Sequence, residues 1–369
     1  MLDEYLDEVK DFLKSQQREA EVVVMPDFFL DRFVSINTTP DRFFRTVMEV
    51  VGRKGGSIDG IIQKEFRGGN AINTAAALAN LGMKVTPIVC TDKLGLQLIK
   101  FYVKSPKISL THIKIVEKPS ITTALEFETA GGKANVMLRD VGSLVDFGPQ
   151  NLEAEDFEAI ERADCTCVFN WAGTRKFGTD LAETVFRYSK TSGKGKTYFD
   201  PADPTPNKRK ARKLLENVLQ SDMLDVISLN ENEAVFFASL IKGEVEEPAK
   251  GLGFEALAME SAKFLASRFR ARIDLHTTEY SATFNRKAET VVPAFRVPVL
   301  RATGAGDAWN AGNILGTVCG LADAVRLTLA NAVAAYYISN HEGKHPTRKE
   351  LSKFCNWLKG QWKTKTDKN

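Results

Sequence analysis

Short apolar runs alternate with segments of helical periodicity along most of this chain, and this alternation constrains its fold more than any other feature. Strands separated by helices are joined by crossover connections, which make the strands parallel and cover both faces of their sheet. We therefore predict an α/β fold with a central, mostly parallel sheet between layers of helices. The apolar runs are residues 21–25, 85–90, 166–170, 197–200, 224–229 and 273–276, and the helical segments lie near residues 70–81, 93–103, 152–162, 179–191, 208–219, 231–240 and 255–268.

Residues 31–67 and 106–140 interrupt this alternation, because they carry strand-like patterns without crossover helices between them. Residues 121–127 and 134–139 show the alternation of a half-buried strand. These patterns predict a small, separate, partly exposed sheet, which we expect to act as a lid. Within the first stretch, residues 41–56 predict a short helix followed by a glycine turn.

The two ends of the chain differ from the region between them. Residues 1–20 repeat apolar side chains at helical spacing, so we predict a helical extension packed against the body. Residues 21–358 are the predicted main domain. Residues 359–369 are basic, and we expect them to form a frayed tail.

The composition excludes several classes of protein. The 50 basic and 47 acidic residues nearly balance, so the net charge of +3 gives no indication of a nucleic-acid partner. No apolar run reaches the roughly 18–20 residues that a membrane helix needs. The 5 cysteines are odd in number and show no CxxC spacing, which favours reduced thiols and a cytoplasmic location. We therefore expect small molecules as partners.

The segment Thr303-Gly304-Ala305-Gly306-Asp307 directly precedes a helical run. Small residues at a helix start let several backbone N–H groups converge, and the helix dipole stabilises an anion there by about 0.3–1 kcal/mol. A carboxylate in the same turn could accept a proton from a hydroxyl held against a bound phosphate. The same residues also suit a glycine-rich turn capped by Asp307, and residue types alone leave both interpretations open.

A second glycine motif, Gly68-Gly69, leads into a helix that carries Asn70 and Asn73 in its first turns. Backbone groups and amide side chains at such a position suit the floor of a pocket for sugar hydroxyls. An alanine-rich helix with a small face is equally typical of close helix packing.

Asn230 and Glu233 form a third candidate, because they directly follow the strand predicted at residues 224–229. Open α/β sheets bind ligands at the carboxyl ends of their parallel strands. Acidic and amide residues at this position also suit an ordinary helix N-terminus, so the pattern favours neither interpretation.

Taken together and in order, these segments resemble the ribokinase-like, PfkB-type carbohydrate kinases over about residues 21–358. The segments 68–82 and 303–307 are similar to the two signatures of that family, and Asn230-x-x-Glu233 is similar to its NxxE element. The resemblance implies a ribokinase-like three-layer sandwich with an accessory β-sheet lid that closes over the sugar and allows a homodimer through the lid.

The resemblance also implies a role for each matching residue. Asp307 would be the general base of phosphoryl transfer from a nucleotide to a primary hydroxyl, with Mg²⁺ on the nucleotide phosphates. ATP is the expected donor, and ADP stays open. The implied sets are Gly304, Ala305 and Gly306 for the anion hole; Asp31, Gly68, Gly69, Asn70, Asn73 and Asn170 for the acceptor; Asn230, Thr277, Thr278 and Asn331 for the nucleotide; and Glu233 for Mg²⁺ through water.

Two departures from the family pattern stand out. Arg301-Ala302 stands where relatives carry Asp-Thr, and in relatives that aspartate helps to bind a monovalent cation. An arginine would repel such a cation and could replace it as a fixed positive charge. In the nucleotide loop, residues 276–281 keep neither glycine of the family's T-x-G-x-x-G pattern, which puts the nucleotide contacts there in doubt.

Several alternatives remain at the level of sequence. Ribose, a hexose, an inositol or a nucleoside would suit the polar acceptor set. A phosphosugar is another candidate, because basic residues lie on segments that could border the pocket. A catalytically silent sugar or nucleotide sensor is the non-enzyme alternative. There is no GxxxxGK[ST] motif, no GxSxG motif and no zinc-like histidine spacing. The basic residues are Arg67, Arg139, Arg175 and Lys176.

Overall fold

A computed structural model describes residues 2–16, 19–129, 132–243, 253–286, 288–301, 303–340 and 342–366. Ala302 and residues 367–369 of the predicted tail lie outside the described residues. The helices are α1 Leu2–Lys14, α2 Pro40–Gly52, α3 Asn70–Asn80, α4 Lys93–Tyr102, α5 Ala154–Arg162, α6 Gly178–Thr191, α7 Ala211–Leu214, α8 Glu231–Lys242, α9 Phe254–Arg268, α10 Ala305–Val318, α11 Asp323–Ile338 and α12 Arg348–Thr366. The strands are β1 Glu21–Met25, β2 Phe29–Ile36, β3 Ile62–Gly68, β4 Lys84–Pro87, β5 Cys90–Thr91, β6 Lys114–Ile115, β7 Ser120–Thr129, β8 Gly132–Asp140, β9 Cys165–Phe169, β10 Lys196–Asp200, β11 Val226–Leu229, β12 Arg272–His276, β13 Tyr280–Phe284 and β14 Glu289–Pro293.

The predicted central sheet is confirmed. Its strands run in the order β14-β13-β12-β11-β10-β9-β1-β4, and those from β12 to β4 are parallel while β13 and β14 pair antiparallel at one edge. The strands are apolar on both faces because helices cover both. One face packs against α3, α10 and α11, and the other against α5, α6, α8 and α9.

The predicted separate sheet is also confirmed, with the strand order β3-β2-β7-β8. Its strands extend slightly beyond the ranges 31–67 and 106–140. Helix α2 occupies the predicted insert, and its side chains Phe44, Met48 and Val51 are more than half exposed. One face of this sheet is turned toward the carboxyl ends of β1 and β9, where polar side chains of the main domain collect.

The two ends of the chain pack together. Helix α1 buries Leu6, Val9, Phe12 and Leu13 against α11 and α12, and Arg348 donates to the carbonyls of Phe12 and Leu13. Residues 359–366 continue α12, so this part of the predicted tail is helical because it extends a packed helix. Within the described ranges, none of the helices combines the length and apolar character that a membrane span requires.

One predicted strand is wrong in extent. Residues 85–90 are divided between β4, which joins the central sheet, and β5, which pairs with β6 in a separate two-stranded ribbon. Pro87 ends β4, since proline has no N–H to donate to a neighbouring strand.

Candidate active site

The predicted anion-hole segment forms the N-terminus of α10. Gly304 is the N-cap and has φ of 88°, in the left-handed region that favours glycine. A Cβ at this position would also lie 2.6 Å from the hydroxyl of Tyr337, so no larger residue fits without rearrangement. The first N–H groups of a helix have no partner inside it, and here Ala305 and Gly306 supply them. The structure therefore brings together the residues that the sequence predicts for an anion hole.

Asp307 lies buried in the first turn of α10, and both of its carboxylate oxygens accept hydrogen bonds from α3. Asn70 donates to Oδ1 at 2.8 Å and Asn73 donates to Oδ2 at 2.9 Å. The sequence assigned these two amides to acceptor hydroxyls; in the structure they line the same cavity and also fix the orientation of Asp307. Burial raises the pKa of the Asp307 carboxyl to about 8; the nearby charges of Asp27 and Asp200 add to this effect, which the two amides oppose.

Asp27 is a site residue that the sequence analysis missed. It is fully buried after β1 and accepts hydrogen bonds from the backbone N–H groups of Asn70 and Ala71 and from the side chain of Asn170. Burial raises the pKa of its carboxyl, and these donors oppose the shift. Its position two residues after the first apolar run was the available signal, because carboxyl ends of parallel strands collect ligand-binding groups.

A cavity of about 330 Å³ opens between these residues and the small sheet. Of the acceptor residues predicted from sequence, Asp31, Gly69, Asn70, Asn73 and Asn170 line it. Gly68 is not a lining residue; it lies behind Asp31, and a Cβ there would be 2.2 Å from the carboxylate. The small sheet also contributes side chains that the sequence analysis did not assign to the acceptor, namely Phe29, Phe33, Thr122, Ala124 and Met137.

Asp31 faces this cavity from β2. Burial raises the pKa of its carboxyl to about 6, and a hydrogen bond from Thr122 and the charges of Arg301 and Arg139 oppose the rise. The cavity thus has hydrogen-bond acceptors on two sides: Asp31 on the small sheet, and Asp27 and Asp307 on the main domain. Such a set suits a ligand that carries several hydroxyl groups.

The four basic residues proposed for a phosphate group differ in position. Arg139 lines the cavity and lies over the Phe29 ring at 5.1 Å. Arg67 lies behind the cavity wall and donates to Asn73. Arg175 and Lys176 are exposed, and Lys176 forms an ion pair with Asp146. Only Arg139 among these four lines the described acceptor cavity.

A second cavity, of about 520 Å³, lies on the other side of the α10 N-terminus. The predicted nucleotide residues Thr277, Thr278 and Asn331 line it, and it shares Gly306 with the acceptor cavity. The sequence analysis missed Trp309 and His276, which lie with ring centroids 4.8 Å apart on the wall of this cavity. The two cavities therefore meet at the predicted anion hole.

The loop at residues 276–281, which lacks the glycines of the family pattern, is held by hydrogen bonds of the Thr277 side chain. The hydroxyl of Thr277 accepts hydrogen bonds from the N–H groups of Glu279 and Tyr280 and donates to the Tyr280 carbonyl. The backbone of Thr278 donates to Glu231. The side-chain amide of Asn331 is engaged by other protein groups. Its oxygen accepts hydrogen bonds from the Ser281 hydroxyl and the Trp309 indole N–H, and its NH₂ group donates to the Pro293 carbonyl.

Asn230 and Glu233 form a reciprocal capping box at the start of α8. Asn230 accepts from the N–H of Glu233, and the Glu233 carboxylate accepts from both the backbone and the side chain of Asn230. Asn230 does not line the second cavity. Burial, together with the charge of Asp200, raises the pKa of Glu233 well above its usual range.

These contacts bear on the implied Mg²⁺. Within the described part of the chain, no three His, Cys, Asp or Glu side chains come together as a set of metal ligands. Burial raises the pKa of Glu233, and the nearby negative charges of Asp200, Asp203 and Glu231 add to this effect. The same negative charges would stabilise a cation near this group. Mg²⁺ commonly keeps several waters and binds through few carboxylates together with substrate phosphates, and the residues present fit that mode.

Arg301 lies against the anion-hole segment. Its Nε donates to the Thr303 carbonyl at 3.3 Å, and the hydroxyl of Tyr337 donates to the same carbonyl at 3.1 Å. Its guanidinium carbon lies 4.2 Å from the centroid of the Phe66 ring and 5.6 Å from that of Tyr337. A fixed positive charge thus stands next to the carbonyl that precedes Gly304.

A model of the pfkB family of carbohydrate kinases matches residues 47–350 of the chain. The chain belongs to this family. It is therefore a phosphotransferase with an alcohol group as acceptor, and the family predicted from the sequence is confirmed.

Solved structures of kinases share the fold of this pfkB family member. A ribokinase from Cryptococcus neoformans var. grubii serotype A, in complex with ADP, matches with a TM-score of 0.70 and 18% identity over 92% of this chain and 99% of that chain. A fructokinase with bound ATP from Xylella fastidiosa matches with a TM-score of 0.68 and 16% identity over 92% and 99%. A nucleoside kinase from Burkholderia thailandensis, in complex with inosine, matches with a TM-score of 0.63 and 16% identity over 91% and 97%. The ribokinase-like fold predicted from the sequence is thus confirmed.

Proposed function

We propose that this family member transfers the terminal phosphoryl group of ATP to a primary hydroxyl of a sugar or sugar-like acceptor. The observation that carries this proposal is the junction of the two cavities. Asp307 faces the acceptor cavity, which is lined by carboxylate and amide groups, and Gly306 lines both cavities. The wall of the second cavity includes the aromatic rings of Trp309 and His276. An acceptor hydroxyl and a nucleotide phosphate would therefore meet at the N-terminus of α10.

Asp307 is the general base in this proposal. It removes the proton from the acceptor hydroxyl, and Asn70 and Asn73 hold its two oxygens in a fixed orientation. The N–H groups at the start of α10 stabilise the negative charge on the transferring phosphoryl group. Mg²⁺, when bound, neutralises charge on the nucleotide phosphates, and Glu233 and Asn230 would order the water around it. Positioning and charge stabilisation supply most of the rate enhancement in phosphoryl transfer.

Arg139 is the observation that favours a second candidate acceptor, a phosphosugar. It lies on the cavity wall and would face an anionic group on the acceptor. Three acidic side chains, those of Asp27, Asp31 and Asp307, line the same cavity, and each repels an anion when it is ionised, so we keep the neutral polyol as the first candidate.

The proposed function is tested by measuring acceptor-dependent release of ADP or AMP. The panel contains neutral sugars, inositols, phosphosugars and nucleosides, each with ATP and with ADP as donor. We expect transfer from ATP to a neutral acceptor. Transfer only to phosphosugars, with loss in Arg139→Met, would establish the second candidate. Binding of ligands without transfer to any acceptor would establish the sensor alternative.

The pKa of Asp307 predicts how activity depends on pH. A general base must be deprotonated, and burial places the pKa of this carboxyl at about 8 in the free enzyme. We therefore expect kcat/KM to rise as pH increases from 6 and to level off above the pKa, at about one decade per pH unit on the acid side. The measurement is kcat/KM for the acceptor between pH 6 and 9.5. A profile that is flat across this range would contradict a titrating Asp307.

Arg301 predicts the response to monovalent cations. A guanidinium about 4 Å from a bound K⁺ would repel it by about 4 kcal/mol at an effective dielectric constant of 20, enough to abolish weak binding. The side chain lies against Thr303, Tyr337 and Gly343, next to the segment that begins the proposed anion hole. We expect activity that requires Mg²⁺ and changes less than about 2-fold with K⁺.

The measurement is the initial rate against K⁺ concentration, with ionic strength held constant by a bulky organic cation. Saturable activation of more than a few-fold would show that K⁺ binds in spite of Arg301. Omission of Mg²⁺ is the matched control, because it should abolish the rate in either case.

Three further expectations stay predictions. The small sheet would close over bound acceptor and exclude water. The exposed apolar residues Val136 and Leu138 of its strand β8, together with Phe44 and Met48 of helix α2, would contact a second copy of the chain. Sedimentation velocity tests the dimer. The odd number of cysteines and the lack of CxxC spacing are the support for a cytoplasmic location.

A further inference from the structure

Two consecutive residues of strand β3, Phe66 and Arg67, reach different parts of the proposed phosphoryl-transfer site. Both residues belong to the small sheet, whereas the groups that they contact belong to the main domain. Neither residue lines the acceptor cavity. Their positions therefore need a separate explanation.

Phe66 contacts the anion hole through Arg301. The guanidinium of Arg301 lies 4.2 Å from the Phe66 ring centroid and 6.0 Å from that of Phe33, and these two rings meet edge to face at 5.5 Å. The same guanidinium donates to Thr303, directly before the left-handed Gly304. Phe66 and Phe33 of the small sheet thus fix the position of the Arg301 side chain. Arg301 in turn contacts the residue that directly precedes the proposed anion hole.

Arg67 contacts the catalytic base through Asn73. Its Nε donates to Asn73 Oδ1 at 3.3 Å, and Asn73 Nδ2 donates to Asp307 Oδ2 at 2.9 Å. Its Nη1 donates to the carbonyl of Tyr102 on α4 at 3.4 Å. Because Arg67 donates to the amide oxygen of Asn73, the NH₂ group of that amide faces Asp307. Only the NH₂ group can donate a hydrogen bond to a carboxylate, so Arg67 fixes the orientation that Asp307 needs.

We propose that Phe66 and Arg67 are positioning residues that couple closure of the small sheet to assembly of the phosphoryl-transfer site. When β3 lies against the main domain, Arg301 orders the anion hole and Asn73 presents its NH₂ group to Asp307. When β3 moves away, both supports are lost together. This inference rests on the proposed function for its effect on the rate, whereas its effect on the order of residues 303–309 does not depend on activity.

The Phe66 contact is tested with the variants Phe66→Leu, Phe66→Tyr and Gln63→Ala. Gln63 lies exposed on the same strand, so its replacement is the matched control. We expect Phe66→Leu to lower kcat roughly 10-fold with less than a 2-fold change in either KM, since cation–π contacts account for effects of this size. Phe66→Tyr keeps the ring and should stay within about 2-fold of the original chain, as should Gln63→Ala.

A double-mutant cycle with Arg301→Met separates this coupling from a general structural effect. In the Arg301→Met background, Phe66→Leu should lower kcat less than 2-fold further. An equal 10-fold loss in both backgrounds would overturn the proposal for Phe66.

The Arg67 contact is tested with the variants Arg67→Met and Arg67→Lys. Arg67→Met should lower kcat, and Arg67→Lys should restore part of it. Equal rates in the original chain and in Arg67→Met would overturn the proposal for Arg67.

Amide hydrogen exchange supplies a readout that needs no substrate. In the free protein, peptides that cover residues 303–309 should exchange several-fold faster in Phe66→Leu than in Gln63→Ala. If the chain phosphorylates no acceptor, the proposed function fails and the exchange comparison still decides the coupling. If transfer occurs but exchange and kcat are the same in Phe66→Leu and Gln63→Ala, the coupling fails and the function stands.

Discussion

Replacing Asp307 by Asn is expected to lower kcat by about 10²–10⁴-fold, or roughly 2.7–5.4 kcal/mol of transition-state stabilisation. Asn keeps the size of the side chain and removes the group that accepts the proton. Nucleotide affinity should change little, because the second cavity does not include Asp307. The measurement combines single-turnover kinetics with nucleotide binding by calorimetry.

Asp31 provides the matched comparison for this prediction, because it is a carboxylate in the same cavity on the opposite wall. We expect Asp31→Asn to raise KM for the acceptor with a smaller change in kcat. If Asp307→Asn retained more than about a tenth of the rate while chemistry limits turnover, Asp307 would not be the base.

Replacing Asp274 by Ala is expected to destabilise the fold by about 3–5 kcal/mol, the cost of breaking a buried ion pair. Asp274 is fully buried on β12, and the charges of Arg272 and Arg326 hold the pKa of its carboxyl well below the usual range. Its carboxylate accepts from Arg272 at 2.9 Å, from Arg326 at 3.0 Å and from Asn313 at 2.8 Å. Without it, Arg272 would lose its ion-pair partner, and the buried Arg326 would keep only the partly exposed Asp323.

The measurement is the free energy of unfolding in urea at neutral pH. The control is Asp222→Ala, which breaks an ion pair with Arg270 whose partners are 71% and 65% exposed. Exposed pairs contribute about 0–1 kcal/mol, so this variant should stay close to the original chain. Equal losses for both variants would show that burial does not set the contribution of Asp274.

This ion pair also bears on the site, because it anchors α10. Asn313 donates to Asp274, and Arg272 donates to Thr317, so the middle and the end of α10 are tied to β12. Asn310, one turn after Asp307, donates to Asp200 at the end of β10. The helix that carries the proposed anion hole and the proposed base is therefore held against the sheet by polar side chains along one face.

The fold could be predicted from the sequence because its signals are local and periodic. The alternation of apolar runs and helical segments follows from burial of the strands between two layers of helices, and the interruption at residues 31–67 and 106–140 follows from a sheet with an exposed face. The glycine segment at 303–307 was also visible, since a left-handed N-cap and a helix start depend on adjacent residues. The division of residues 85–90 between two sheets was not predicted, because it depends on which partner strand each half meets.

What the sequence by itself determined, then, is the alternation of helices and parallel strands, the family, and several of the polar residues at strand and helix ends; the edge strands β13 and β14 and the site residue Asp27 were not predicted. The tertiary structure decided which of these groups meet. Asp27 matters because the N-terminus of α3, more than 40 residues along the chain, donates to it. Arg67 and Arg301 act through Asn73 and Thr303, and these contacts join the small sheet to the main domain. A local pattern records the conformation of a segment, whereas hydrogen bonds and cation–π contacts between distant segments depend on packing that no local pattern encodes.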